Sequence, residues 1–136
     1  MVKGRILAGN YFLLRENYQE YFEQALKVRR LISNDFKQVF QQVDLLLTPV
    51  TLSDAPNYKT FSQSDNRTQT AKYDYCTQPV NLAGIPAASI PVKLSNKSLP
   101  LSLQIIGSYG QDMKVLSFCQ WLEKAVHFPQ PKLLLD

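Results

Sequence analysis

A helix that leads into two apolar strands constrains the fold of this chain more than any other feature of its sequence. Residues 71–83 have a helical pattern that ends at Gly84, a residue that readily adopts the left-handed conformation found at helix C-termini. Pro79, inside this pattern, is predicted to kink or restart the helix. Residues 87–92 and 101–106 are apolar and flank a polar turn. We therefore predict that they pair as an antiparallel hairpin at one side of a larger sheet.

The rest of the chain is predicted to add helices and one further strand. Apolar residues recur at three- and four-residue steps over residues 17–43, which predicts an amphipathic helix, and residues 111–126 carry the same pattern. The three leucines at residues 45–47, ended by Pro49, predict a strand buried on both faces of a largely parallel sheet. Residues 48–70 are mostly polar and predict a long loop. This order of elements predicts an α/β fold.

Composition limits the class of protein and the kinds of site that it can contain. The chain has 136 residues, 45% of them hydrophobic, which suits one domain, and it has no apolar run long enough for a membrane span. A net charge of +4 without a dense basic block gives little support for direct RNA binding. Cys76 and Cys119 are far apart in the sequence and His127 is the single histidine, which indicates neither a zinc site nor a disulfide framework and favours a reducing compartment. No local motif pairs a nucleophile with a base, so we predict no catalytic residue and no metal ligand.

Four segments resemble, in their order and spacing, the C-terminal part of the amidase signature family; they are residues 27–32, 44–49, 78–92 and 99–107. The resemblance covers nearly the whole chain. It implies that residues 1–136 are a single C-terminal fragment of an amidase domain, with a mixed, mostly parallel sheet flanked by helices, incomplete on its own. It also implies that the Ser-Ser-Lys catalytic residues of the family lie further toward the N-terminus and are absent from this chain.

Two candidate substrate-binding residues, Arg5 and Asp74, are identified through this resemblance alone. In the glutamine-using members of the family, the arginine at the position of Arg5 binds the α-carboxylate of the substrate, and the acidic residue at the position of Asp74 accepts its α-ammonium group. The chemistry is suitable, because a guanidinium group binds a carboxylate through two charge-assisted hydrogen bonds. The resemblance therefore implies that these two residues recognise free glutamine.

The function that the resemblance implies is hydrolysis of glutamine to supply ammonia for the conversion of Glu-tRNA(Gln) to Gln-tRNA(Gln). The implied partners are the B- and C-type subunits of a tRNA-dependent amidotransferase, with tRNA reached indirectly through that complex and no membrane involved. No cofactor is expected in this chain, since ATP and magnesium would be used by the partner subunit. The similarity is strongest to mitochondrial forms, which implies the mitochondrial matrix.

Two alternatives remain open at the level of the sequence. The same C-terminal architecture occurs in general amidases, which hydrolyse other amides and release ammonia to water. The chain could also be a noncatalytic truncated product that acts as an interaction module. For all three functions we expect the chain alone to be inactive and poorly soluble, because its sheet and helices would lack their N-terminal partners.

Overall fold

The structure is a computed structural model that describes residues 2–63 and 65–129. Six α-helices, one π-helical segment and three strands are found there. In chain order they are α1 (Val2–Leu13), the π-helical segment (Tyr18–Glu23), α2 (Gln24–Val39), β1 (Leu45–Pro49), α3 (Tyr58–Gln63), α4 (Asn66–Tyr73), α5 (Gln78–Ala83), β2 (Ala87–Leu94), β3 (Pro100–Gly107) and α6 (Asp112–Val126). This mixture of helices and a sheet confirms the predicted α/β class.

The three strands form one sheet in the order β1-β3-β2, and both pairs are antiparallel. The hairpin of β2 and β3 is thus confirmed, whereas a mostly parallel sheet is wrong for the strands described in this chain. β1 and β2 run in the same direction but are not neighbours, because β3 lies between them. The helical connection from β1 to β2 skips one strand position, and β3 fills that position as the return strand of the hairpin.

β1 is an edge strand of this sheet and is not buried on both faces as predicted. Leu45 and Leu46 are half-buried, while Leu47 remains 47% exposed. Among residues 2–63 and 65–129, a neighbouring strand is found on one side of β1 alone, and it is β3. Pro49 closes the strand, a position that suits a residue without a backbone donor.

The segment predicted as a long loop contains two short helices, α3 and α4. Each begins after a residue whose side chain accepts hydrogen bonds from the first turn. Asn57 accepts from the backbone N–H groups of Lys59 and Thr60, and Asp65 accepts from those of Arg67 and Thr68. The polar residues that predicted a loop include these helix-capping side chains, which satisfy otherwise unpaired N–H groups.

The predicted helix over residues 71–83 is divided in two. α4 ends at Tyr73, residues 74–77 form a turn, and α5 begins at Gln78. Pro79 lies in the first turn of α5. N–H groups in the first turn of a helix have no acceptor within the helix, so a proline there breaks no helical hydrogen bond. The predicted restart of the helix is therefore confirmed. Gly84 ends α5 with φ of +70°, the left-handed conformation expected there, and its N–H group donates to the carbonyl of Val80.

The amphipathic pattern over residues 17–43 corresponds to two successive helical elements. The π-helical segment occupies Tyr18–Glu23 and continues directly into α2, which ends at Val39, earlier than the pattern predicts. Two aromatic contacts tie this region to α1: the ring centroids of Phe12 and Tyr21 are 5.2 Å apart, and those of Tyr11 and Tyr21 are 6.3 Å apart. α1 is thereby held against the start of the second helical region.

A small core lies between the sheet and α6. Ile105, Val115 and Cys119 are buried, with partly buried side chains around them. Burial, together with the negative charge of Glu123, raises the pKa of the Cys119 thiol. Gly107 allows α6 to approach closely, since a Cβ atom there would lie 2.5 Å from Cγ2 of Val115. This packing fixes the sheet that supports the site described next.

Candidate functional site

Arg5 and Asp74 line the same cavity, although they lie on elements far apart in the sequence. The cavity has a volume of about 1130 Å³ and is bounded by α1, α4, the 74–77 turn and α5. Its wall also contains apolar side chains, among them Phe12 and Leu82. Two opposite charges and an apolar wall therefore share one open space.

α1 places Arg5 on the wall of this cavity. Gly4 and Ala8 line the same wall, and their small size leaves room beside the longer arginine side chain. The guanidinium group of Arg5 is exposed and forms no hydrogen bond or ion pair within the described residues. All its donors are therefore available to a ligand.

Asp74 lies at the C-terminal end of α4, where the chain turns toward α5. Its backbone carbonyl accepts hydrogen bonds from the N–H groups of Thr77, at 3.1 Å, and Gln78, at 2.9 Å, and a third from the Thr77 hydroxyl at 3.2 Å. These bonds close the turn on the backbone of Asp74. Its half-buried carboxylate has no partner among residues 2–63 and 65–129 and can accept donors from a ligand.

A buried amide connects this turn to the sheet. Gln104, on β3, is 5% exposed, and its Nε2 donates to the carbonyl of Cys76 and to Oγ1 of Thr48, both at 3.1 Å. Thr48 lies directly opposite Gln104 on β1. Both N–H groups of the amide are thus satisfied, as a buried polar group requires.

The far end of α5 is also held. Nε of Arg29, on α2, donates a hydrogen bond of 2.7 Å to the carbonyl of Leu82, which is one of the unpaired carbonyls of the last helical turn. α5 therefore has a tie at each end, to β3 through the turn before it and to α2 through Leu82.

Two further charged residues line the cavity, Asp65 and Arg67. Asp65 is the N-cap of α4. A hydrogen bond from the Thr68 hydroxyl, followed by those from the backbone N–H groups of Thr68 and Arg67, lowers the pKa of Asp65 below its usual value. The carboxylate of Asp65 is therefore engaged in capping, which leaves Asp74 as the acidic side chain on the described wall that is free of protein partners.

A family model described as Amidase matches residues 1–116 of this chain. The chain belongs to the amidase family. This confirms the family that was identified from the four sequence segments. The structure fits the family as well, since the crystal structure of an amidase matches 92% of this chain with a TM-score of 0.72 and 27% identity.

Two relatives of this chain share a name. A protein from Anopheles gambiae is 59% identical over 128 residues, covering 94% of this chain, and one from Homo sapiens is 56% identical over 130 residues, covering 95%. Both are named as the mitochondrial A subunit of glutamyl-tRNA(Gln) amidotransferase. The crystal structure of the A subunit of the Thermotoga maritima glutamyl-tRNA(Gln) amidotransferase matches 95% of this chain with a TM-score of 0.74 and 36% identity.

This amidase-family chain spans about a quarter of the length of the curated relatives that it matches, 26% of the mosquito protein and 25% of the human one. It also covers 28% of the Thermotoga maritima chain. The described part of the cavity wall contains no serine, cysteine, histidine or lysine. His127 is exposed and follows the last residue of α6.

Within residues 2–63 and 65–129, no three acidic, histidine or cysteine side chains are close enough to hold a metal ion, and Cys76 and Cys119 are free thiols. No helix in the described part of this amidase-family chain has the length and apolar character required to cross a bilayer.

Sequence reasoning did not identify the roles of Gln104 and Arg29. The sequence does contain a signal for a buried, hydrogen-bonded role of Gln104, since this polar residue lies between Leu103 and Ile105 in an apolar strand. For Arg29 no such signal exists, because it lies in a basic stretch that is typical of a solvated helix face. The acceptor of Arg29, the Leu82 carbonyl, is known only from the fold.

Proposed function

We propose that this chain is part of the A subunit of a glutamyl-tRNA(Gln) amidotransferase, and that Arg5 and Asp74 hold the substrate glutamine. The observation that carries the proposal is that the guanidinium group of Arg5 and the carboxylate of Asp74, both without a partner among the described residues, lie on the wall of a single cavity. Free glutamine carries a carboxylate and an ammonium group on one carbon atom. A guanidinium fork for the first and a carboxylate for the second form a complementary pair of contacts.

The proposed role of these residues is binding and orientation. Glutamine held at both charges of its backbone has its side-chain amide as the remaining reactive end, so the amide can be presented to a nucleophile in a fixed direction. We infer that the nucleophile and its base are the Ser-Ser-Lys residues of the family, outside this chain. The chain alone is accordingly predicted to be inactive, and it stays a prediction that it is poorly soluble.

The relatives' shared name supports further parts of the proposal. The ammonia released would be passed to a partner that activates the glutamate of Glu-tRNA(Gln), and we propose B- and C-type subunits as the partners. Under this proposal tRNA, ATP and magnesium are bound by the partners, and this chain requires no cofactor. The word mitochondrial in the names of the relatives supports a mitochondrial location, for which we propose the matrix.

The test uses the complete A subunit in complex with its partners, and compares glutamine-dependent with ammonium-dependent amidation of Glu-tRNA(Gln). Arg5→Met and Asp74→Asn each remove a charged contact to the substrate. Such contacts contribute about 1.5–3 kcal/mol, so KM for glutamine should rise about 10- to 100-fold. Ammonium-dependent amidation should be unchanged, because it does not require glutamine binding.

Matched controls are Lys3→Met, on the same helix as Arg5, and Asp112→Asn, at the start of α6; neither residue lines the cavity. Both should retain the wild-type KM for glutamine. Unchanged KM values in Arg5→Met and Asp74→Asn would reject the proposed contacts. Equal kcat/KM for glutamine and for an uncharged acyl amide would instead favour a general amidase.

A further inference from the structure

The turn that carries Asp74 has one side-chain tie to the sheet among the residues that the structure describes, and Gln104 provides it. The turn's internal hydrogen bonds run from Thr77 and Gln78 to the carbonyl of Asp74 and fix the shape of the turn. They do not fix its position relative to the sheet. The bond from Gln104 Nε2 to the Cys76 carbonyl, at 3.1 Å, does so.

Gln104 is suited to this task because it is itself held rigidly. Its backbone belongs to the central strand of the sheet, which pairs with β1 on one side and β2 on the other. Its amide is buried, and the Thr48 hydroxyl on the facing strand accepts the second N–H group. A donor whose second hydrogen bond is fixed by a neighbouring strand has little freedom to rotate away from Cys76.

We propose that Gln104 is a positioning residue for substrate binding: through the Cys76 carbonyl it sets where the carboxylate of Asp74 meets the ammonium group of the substrate. This inference rests on the proposed function, since it takes Asp74 as the ammonium contact. Asp74 has no side-chain partner in the described part of the chain, so its carboxylate is placed by its backbone alone. Displacement of the turn therefore displaces the carboxylate.

Loss of the hydrogen bond from Gln104 to the Cys76 carbonyl should weaken substrate contacts selectively, whereas general destabilisation would weaken all of them. A turn that is free to move weakens contacts to the ammonium group, whereas contacts to the carboxylate of the substrate, made from α1, are retained. Glutaramic acid is the analogue of glutamine that lacks the α-amino group. It cannot use Asp74 as an ammonium partner, so its binding should not depend on Gln104.

The experiment compares Gln104→Met with wild type in the complete A subunit in complex with its partners. Methionine has a similar length and shape but no amide donor. We expect KM for glutamine to rise about 10-fold, since a lost buried hydrogen bond and the misplaced contact are together of that size. The binding constant of glutaramic acid, measured as a substrate or as a competitive inhibitor, should change less than about 2-fold.

A double variant tests whether Gln104 acts through Asp74. In an Asp74→Asn background, Gln104→Met should add little to the KM for glutamine, because the contact that it positions has already been removed. Thr48→Val, which leaves the Cys76 tie in place, should have a smaller effect than Gln104→Met. Ser102→Ala, on the same strand two residues away, is the control and should behave as wild type.

The outcomes separate this inference from the proposed function. If Asp74→Asn leaves KM for glutamine unchanged, the proposed function fails. If Asp74→Asn raises KM but Gln104→Met does not, or if Gln104→Met weakens glutamine and glutaramic acid equally, the positioning role is rejected while the proposed function stands. Additive effects of the two substitutions would also reject it. Should Gln104→Met fail to fold, the same comparison is made with Gln104→Asn, whose amide is one methylene shorter and is therefore withdrawn from the Cys76 carbonyl. Selective weakening of glutamine would support the positioning role, and equal weakening of both compounds or no weakening would reject it.

Discussion

The guanidinium group of Arg29 donates a hydrogen bond of 2.7 Å from Nε to the carbonyl of Leu82, joining α2 to the last turn of α5. Gly84, two residues after Leu82, is also close to the Arg29 side chain, since a Cβ atom at Gly84 would lie 3.7 Å from a terminal nitrogen of Arg29. Arg29 therefore satisfies a helix end where the chain turns toward β2. A cation at the C-terminus of a helix is also favoured by the helix dipole.

Arg29→Met should loosen α5 without changing the sheet. The lost hydrogen bond contributes about 0.5–1.5 kcal/mol, so backbone amide exchange in α5 should become about 2- to 10-fold faster in the complete protein. Arg30→Met is the matched control, because Arg30 is an exposed neighbour on the same helix. Equal exchange rates in the two variants would contradict a capping role for Arg29.

Gly107→Ala should destabilise the protein through a clash with α6. The added methyl group would lie 2.5 Å from Cγ2 of Val115, which is 2% exposed and cannot move freely. Overpacking of this kind lowers the free energy of unfolding by about 1–3 kcal/mol. The loss should be seen as a lower melting temperature. Gly9→Ala is the control, since a Cβ atom there has no neighbour within 4 Å, and alanine favours the helix.

A second substitution makes the Gly107 prediction specific. Val115→Ala removes the methyl group that the new Cβ atom would meet. Gly107→Ala combined with Val115→Ala should therefore lose less stability than the sum of the two single variants. Additive losses would show that the clash with Val115 is not the cause.

Asp65 should stabilise α4 in a manner that depends on pH. Its pKa is lowered in the folded protein, first by the Thr68 hydroxyl, so its stabilising contribution is fully present above the pKa of an ordinary aspartate and is lost as the pH falls through the lowered value. The difference in melting temperature between wild type and Asp65→Ala should accordingly shrink as the solution is acidified through that range.

Thr68→Val tests the cause of the lowered pKa directly. It removes the hydroxyl that donates to Asp65 at 2.6 Å and keeps the shape of the side chain. An NMR titration of the Asp65 carboxyl carbon should show its pKa moving up toward that of an ordinary aspartate. The exposed neighbour Lys72→Met should leave the titration unchanged; a pKa of Asp65 that stays the same in Thr68→Val would refute the assignment.

Several elements of the fold follow from local sequence alone. Gly84 ends α5 in the left-handed conformation because glycine has no Cβ penalty there, and Pro79 lies where a helix tolerates it. The hairpin is also local, since only a polar turn separates its strands. The two short helices were missed because Asn57 and Asp65 have side chains that favour both loops and helix caps.

The sheet order could not be derived in the same way. The three leucines of β1 form an apolar run that is typical of a buried parallel strand, yet β1 pairs antiparallel with β3 at an edge. Which strand lies beside which is decided by packing between distant segments, and no local pattern records it. The side-chain hydrogen bonds from Gln104 to Thr48 and from Arg29 to Leu82 also join distant segments.

The candidate site also depends on contacts between distant segments, which no local sequence pattern records. Without a family resemblance, Arg5 and Asp74 are two ordinary charged residues in the sequence, since charged side chains are mostly exposed. The structure brings them to one cavity through the packing of α1, α4 and α5. Their role in binding stays a prediction until KM values are measured.

The tie between Gln104 and Cys76 also determines the order in which this region can form during synthesis. Gln104 follows Cys76 by 28 residues and Thr48 by 56. A nascent chain that has emerged only as far as β2 can form α4, the turn and α5, but it has no donor for the Cys76 carbonyl from the sheet. Contacts between such distant positions form slowly because a long loop must close first. The pocket that is proposed to bind glutamine therefore acquires its final geometry only after the third strand has been made and inserted between the other two.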